Sequence, residues 1–103
     1  MIDRKFSNTL KKGDPIVVCV GNRLHLGIFS DVGTRQNVRY HSVHQGRLDW
    51  YRRCLTERKK VYIDFINRPL GSSVAKIDIN EVDLDTKRLF YEIKDILQQK
   101  GII

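Results

Sequence analysis

The hydrophobic pattern of this chain changes its period once, close to residue 80. Before that point, short apolar or alternating runs are separated by turn-forming residues, which is typical of short β-strands. After it, five apolar residues recur at helical spacing and predict an amphipathic helix: Leu89, Phe90, Ile93, Ile96 and Leu97. Asp83 or Asp85 is expected to cap the start of this helix, and Gly101 its end. The sequence therefore predicts a mostly β, α+β fold.

Five segments before the helix are predicted as strands: residues 16–20, 23–28, 37–41, 61–66 and 74–79. Gly21-Asn22 is typical of a tight hairpin connection, and Gly27 predicts a bulge or a sharp bend in the second strand. A loop is expected at 31–36 and a turn cluster at 67–73. Short strands joined by tight turns indicate a small five-stranded antiparallel barrel or a strongly bent sheet.

A chain of 103 residues is too short for two independent cores, so we expect a single domain. Two cysteines are too few for a disulfide framework and indicate a reduced, cytoplasmic setting. The sequence contains no apolar run long enough to span a bilayer, and no membrane partner is expected. The predicted parts are an N-terminal arm (1–11), a β region (12–80) with a basic insertion (45–60), and a C-terminal helix (83–100).

Positive charge is concentrated in the first three fifths of the chain. The whole sequence has 19 Lys and Arg against 12 Asp and Glu, a net charge of +7. Thirteen basic and five acidic residues precede residue 61, whereas six basic and seven acidic residues follow it. Such asymmetry favours a polyanionic partner, although a basic surface that only keeps the domain soluble is the alternative.

The basic residues are interleaved with aromatic ones in the middle of the chain. Guanidinium and ammonium groups bind phosphates, and flat rings stack on bases or lie along sugars. For Trp50, a core or rim position without ligand contact is an equal alternative. We expect the basic insertion and an outward strand face to form the binding surface, with these candidate residues: Arg23, Arg39, Arg47, Trp50, Arg52, Arg53, Arg58, Lys59, Lys60 and Lys76.

Residues 12–29 begin with Lys-Gly-Asp, continue into a valine-rich run and a tight turn, and then place a glycine before an aliphatic residue. In this pattern they resemble the opening of KOW-type and related SH3-like small barrels, through Gly13, Asp14, Val17, Val18, Gly27 and Ile28. Pro15 and the triplet His25-Leu26-Gly27 depart from the family pattern. The resemblance implies an SH3-like barrel that binds RNA, DNA, ribosomal proteins or RNA polymerase. Similar small chains are frequent among accessory proteins of large tailed bacteriophages.

Metal binding and catalysis are not expected. His41 and His44 form a His-x-x-His pair, but residues three apart on a strand point to opposite faces. We expect these imidazoles to lie at the surface, where they add to its positive charge near or below pH 6.5. Cys54 lies beside two arginines, yet no nucleophile with a base, close carboxylate pair or phosphate loop is recognisable. No enzymatic activity and no cofactor are therefore predicted.

Two functions remain as hypotheses. The first is a nucleic-acid-binding accessory protein, preferring duplex DNA with low sequence specificity, because no RNA-recognition sheet motif is present. The second is a protein-interaction module that docks on an acidic surface of RNA polymerase, the ribosome or another host machine.

Overall fold

The structure, a computed structural model, describes residues 10–33, 37–66 and 73–103, which form one antiparallel sheet and two α-helices. The sheet has five strands in the order β4-β3-β2-β1-β5. A short 3₁₀ turn (Ile79–Glu81) precedes the last helix. In chain order the main elements are β1 (Pro15–Val20), β2 (Arg23–Val32), β3 (Val38–Ser42), α1 (Gln45–Thr56), β4 (Asp64–Ile66), β5 (Val74–Lys76) and α2 (Leu84–Gln99).

Strand β1 lies between β2 and β5 in the sheet. β1 pairs with β2 as far as Val20↔Arg23, so that Gly21 and Asn22 form the predicted two-residue connection. On its other side β1 pairs with β5, and β3 pairs with β2 and β4. The mostly β, α+β fold with a C-terminal helix is confirmed. Instead of the closed barrel that was one of the predicted forms, the described residues form an open five-stranded sheet, which is loosely compatible with a small SH3-like β fold.

Both faces of the sheet are covered by apolar residues. Ile28 and Phe29 are neighbours in β2 and therefore point to opposite sides. We call the side of Phe29 the inner face; its core consists of Leu10, Ile16, Val18, Phe29, Val38, Tyr40, Ile66 and Val74. We call the side of Ile28 the helix face, since both helices pack there; its core consists of Ile28, Val43, Leu48, Tyr51, Phe90, Ile93, Ile96 and Leu97.

β2 is longer than predicted and differs in its irregularity. Asp31 and Val32 belong to the strand rather than to a loop, and the register shifts between Phe29 and Asp31 instead of at Gly27. At Gly27 the ring of Tyr40 approaches the backbone so closely that an added Cβ would lie 2.7 Å from Tyr40 Cδ2. Gly27 is therefore needed for close packing, and the bulge predicted at this position is wrong, since the strand pairing is regular there.

The two edge strands are shorter than predicted. Phe65, which the alternation of residues 61–66 groups on one face with Val61 and Ile63, is 56% exposed. In β5, Val74 pairs with Val18 on the inner face, so Ala75 points the other way and is exposed, although the alternation of residues 74–79 predicts that Ala75 faces inward with Ile77 and Ile79. The error arises because a three-residue strand carries too little alternation to fix its phase. Several predicted segments lie wholly or largely outside the described residues: the arm at 1–11 except residues 10 and 11, positions 34–36 of the loop at 31–36, and the turn at 67–73 except residue 73.

Helix α2 confirms the prediction for the end of the chain. The Asp83 carboxylate caps its start by accepting hydrogen bonds from the Thr86 backbone N–H at 3.3 Å and from the Thr86 hydroxyl at 2.6 Å. Gly101 follows the last turn with a φ of +74°, the left-handed conformation that ends many helices. Four of the five predicted apolar positions are buried.

Helix α1 occupies most of the predicted basic insertion. His44 caps its start, where Nδ1 accepts a hydrogen bond from the Arg47 backbone N–H at 3.2 Å. Leu48, Tyr51 and Cys54 recur every three residues and are buried against the helix face. The Tyr51 hydroxyl also donates to the carbonyl of Ser42 at 3.1 Å, which ties the helix to the end of β3. Among the described residues, neither helix is long and apolar enough to cross a membrane.

Candidate nucleic-acid interface

The outer side of α1 and the segment after it form one continuous surface that is rich in basic and aromatic side chains. Trp50 and Arg53 lie one turn apart on the helix, residues 57–62 follow its end, and Tyr62 contacts Trp50. We call Trp50, Arg53 and residues 57–62 the basic–aromatic surface. All of its members except Trp50 and Val61, which are half-buried, are exposed.

Two aromatic rings form the centre of this surface. The ring centroids of Trp50 and Tyr62 are 4.4 Å apart at an interplanar angle of 43°. Trp50 also contacts Tyr51 and the helix-face core, whereas Tyr62 is 62% exposed. Tyr62 was not among the predicted site residues. Its place two residues after the basic run that ends at Lys60 is a signal in the sequence, but only the fold shows the contact with Trp50.

Arg47 holds this aromatic pair in place and is not a free cation. Its guanidinium lies 5.2 Å from the Trp50 ring centroid and 5.5 Å from that of Tyr62, within cation–π range. It also donates two hydrogen bonds to the Asp64 carboxylate, one of them at 3.2 Å, and Asp64 accepts a third from Ser42 at 2.8 Å. Since its side chain is only 14% exposed, Arg47 joins α1 to β4 rather than offering a phosphate contact.

Arg53 and Lys59 share one carboxylate. Arg53 Nε lies 3.3 Å from one oxygen of Glu57, and Lys59 Nζ lies 3.0 Å from the other. The hydrogen bonds from Lys59 and Arg53 hold the pKa of Glu57 below its ordinary value. Because all three side chains are exposed, these pairs contribute little to stability and can exchange partners.

Arg58 and Lys60 differ from these residues, since no carboxylate of the described residues lies within ion-pairing distance of either. Arg58 has a φ of +55°, and the Lys59 backbone N–H donates to the Cys54 carbonyl at 3.0 Å. This is the Schellman arrangement, in which glycine is the usual residue at the position of Arg58. The left-handed backbone costs a non-glycine residue about 1–2 kcal/mol.

Arg52 lies on another side of α1, facing α2. Its guanidinium is 3.2 Å from Glu92 and 3.8 Å from Asp49. Together with Leu55 and Ile96 it lines a groove of about 370 Å³ between the two helices. The structure therefore separates Arg52 from the basic–aromatic surface.

The three predicted strand residues do not share one face. Arg23 pairs with Val20 and Lys76 pairs with Ile16. Arg23 and Lys76 therefore lie on the same side of the sheet as the inner face. Arg39, in contrast, is on the helix face, where Nε and Nη2 bind Asp31 at 2.5 and 2.6 Å. The prediction of a single outward strand face is therefore wrong, because the face on which a strand residue lies depends on its register with the neighbouring strands.

Two of these three strand cations, Lys76 and Arg39, are paired with carboxylates. Lys76 Nζ is 3.5 Å from an oxygen of Asp14. The bonds from Arg39 hold the pKa of Asp31 below its ordinary value. Neither pair includes a residue of the basic–aromatic surface.

The histidine pair is divided between the interior and the surface. His41 lies on the helix face, is 2% exposed, and packs edge-on against Tyr51 with ring centroids 6.5 Å apart. Neither of its ring nitrogens has a hydrogen-bond partner among the described residues, and burial lowers its pKa to about 4. The predicted surface position of His41 is wrong, because helix α1 covers this part of β3. His44, in contrast, is the exposed cap of α1.

No cluster of three or more His, Cys, Asp or Glu side chains within the described residues has the geometry to hold a metal ion. Comparisons of the chain with protein-family models, curated proteins and solved structures found no match. The similarity of residues 12–29 to KOW-type barrels therefore stays a prediction.

Proposed function

We propose that this protein is a nucleic-acid-binding accessory protein of low sequence specificity and that it binds through the basic–aromatic surface. The observation that carries the proposal is the exposed ring of Tyr62, packed on Trp50 and preceded by Arg58 and Lys60, two cations that pair with no carboxylate of the described residues. Residues 45–62 contain six cationic and two acidic side chains. Cations bind the phosphate backbone irrespective of sequence, which is why low specificity is expected.

The carboxylates around Arg53 and Lys59 do not remove this surface's affinity for phosphate. An exposed ion pair contributes about 0–1 kcal/mol, so exchanging a carboxylate for a phosphate costs little. Arg58 and Lys60 pair with no carboxylate of the described residues, so no carboxylate has to be exchanged for a phosphate there. We therefore expect these two side chains to contribute most of the phosphate contacts.

The test is a binding titration with DNA and RNA oligonucleotides over a series of salt concentrations. Counterion release predicts a linear fall of log affinity with log salt. The double variant Arg58→Ala/Lys60→Ala should weaken binding to all sequences about equally and reduce the slope by about 1.4–1.8, the value for two phosphate contacts.

The matched control is Lys87→Ala/Lys94→Ala, which removes the same amount of positive charge from α2. Lys87 donates to Asn80 and Lys94 packs beside Gly13, away from α1. This control should bind like the wild type. A flat salt response, or equal losses in both double variants, would contradict the proposal.

The preference for duplex DNA stays a prediction, and salt titrations of duplexes and single strands measure it directly. We also propose a cytoplasmic location. Cys19 and Cys54 are both free thiols in the structure, which supports a reducing compartment.

Docking on an acidic protein surface is the second candidate function. It is favoured by the mixed charge around Arg52, Arg53 and Lys59, each of which is paired with a carboxylate, since alternating charge suits a complementary protein face. RNA polymerase and the ribosome are the proposed machines. If a pull-down after nuclease treatment retains one stoichiometric protein and the purified chain binds no oligonucleotide, this candidate replaces the first.

A further inference from the structure

Against the preference for duplex DNA that the sequence predicts, we infer that the basic–aromatic surface selects single-stranded over duplex nucleic acid, by stacking an unpaired base on the exposed side of Tyr62. This inference rests on the proposed function and names its ligand class. In a duplex the faces of the bases are already stacked on one another, so an exposed ring cannot reach them. In a single strand the faces are accessible, and protein rings stack on them with little dependence on sequence.

Two neighbouring side chains, Trp50 and Arg47, hold the Tyr62 ring without any ligand. One side of the Tyr62 ring packs against Trp50, with the two ring centroids 4.4 Å apart, and the Arg47 guanidinium lies 5.5 Å from the Tyr62 ring centroid. Arg47 is itself held by the Asp64 carboxylate. A ring that is already ordered loses little side-chain entropy on binding, which raises the affinity that stacking provides.

The cations of the same segment are close enough to bind the phosphates beside a stacked base. Lys60 precedes Tyr62 by two residues and Arg58 by four. An extended chain rises about 3.3–3.6 Å per residue, so their Cα atoms lie within about 7 and 14 Å of that of Tyr62. Their side chains are exposed, and a strand that crosses Tyr62 can therefore meet cations along this segment.

The chain carries a direct reporter of this event. Trp50 is its single tryptophan and contacts Tyr62, so a base that stacks on Tyr62 should change the tryptophan emission. The probes are a 12-nucleotide oligo(dT), a 12-nucleotide oligo(rU) and a 12-base-pair DNA duplex, all at one salt concentration. We expect at least one of the two single strands to bind about tenfold or more tightly than the duplex. The two single-strand arms identify whether DNA, RNA or both are ligands.

Variants at Tyr62 separate stacking from charge. With labelled oligonucleotides, Tyr62→Ala should weaken single-strand binding about tenfold or more and leave duplex binding unchanged, whereas Tyr62→Phe should bind like the wild type. Tyr62→Leu keeps an apolar contact with Trp50 but has no aromatic face, and it should show the same loss if Tyr62→Ala does not fold. The matched control is Tyr91→Ala, since Tyr91 is another exposed tyrosine and lies on α2. This control should bind single strands like the wild type.

The outcomes distinguish this inference from the proposed function. If the duplex binds as tightly as both single strands, or if Tyr62→Leu binds single strands like the wild type, the inference is overturned while salt-dependent binding stands. If none of the three probes binds at low salt, both are overturned.

Discussion

Acidification should destabilise this protein through one buried side chain. His41 is 2% exposed, and burial lowers its pKa from 6.5 to about 4. Below pH 6.5 the unfolded chain takes up a proton at this residue, whereas the folded protein takes it up only near pH 4. The stability contributed by neutral His41 is therefore fully present above pH 6.5 and is lost as the pH falls through this window.

The magnitude follows from the two pKa values. At 1.36 kcal/mol for each pKa unit, the fall from 6.5 to about 4 corresponds to about 3 kcal/mol of unfolding free energy. The charged groups near His41 act in both directions. Asp64 and Asp31 favour the imidazolium, whereas Arg47 and Lys12 oppose it, so desolvation by the surrounding sheet and α1 remains the main cause.

The assay is urea unfolding at pH 7 and pH 4.5 for the wild type and for His41→Phe. The wild type should lose about 2–3 kcal/mol more than the variant between these pH values, because the variant has no imidazole to protonate. His25→Gln, which changes a less buried histidine, is the matched control and should keep the wild-type difference. If His41→Phe shows the same pH dependence as the wild type, His41 is not the group that titrates.

Two further substitutions test backbone strain and close packing. Arg58→Gly should raise the unfolding free energy by about 1 kcal/mol, because glycine adopts the left-handed conformation without strain, and it should also weaken oligonucleotide binding. If urea unfolding shows an unchanged stability, the backbone at Arg58 is not strained. Gly27→Ala should lower the unfolding free energy by about 1–3 kcal/mol, because its Cβ would lie 2.7 Å from the Tyr40 ring. The double variant Gly27→Ala/Tyr40→Leu should recover part of this loss in the same urea assay. A single variant as stable as the wild type would contradict the packing argument.

Elements whose signals are local in sequence could be predicted from the sequence, and those that depend on a distant partner could not. The cap at Asp83, the apolar stripe and Gly101 lie within one segment, and α2 follows them. The phase of Ala75 depends on the register between β5 and β1, which no nearby residue encodes. The exposure of Phe65 has a similar cause, since β4 pairs with a neighbour on only one side in the described structure.

The candidate site shows the same division. The basic insertion could be located from composition, and Arg58 and Lys60 are exposed on it. The sequence could not show that Arg47 binds Asp64, because the two residues are 17 positions apart and meet only when β4 joins the sheet. It also could not show that helix α1 covers His41. A charge count measures how many cations a chain has, whereas carboxylate pairing decides which of them are free.

The position of β1 between β2 and β5 also affects how the chain is made. Ile16 pairs with Gly27 soon after both are synthesised, but its other partner, Lys76, comes 60 residues later. During translation one edge of β1 therefore stays open until β5 has left the ribosome, and an open apolar strand is a template for pairing with other nascent chains. β5 then has a protective role that its three residues alone would not suggest, because it covers the edge of β1 that stays open during translation.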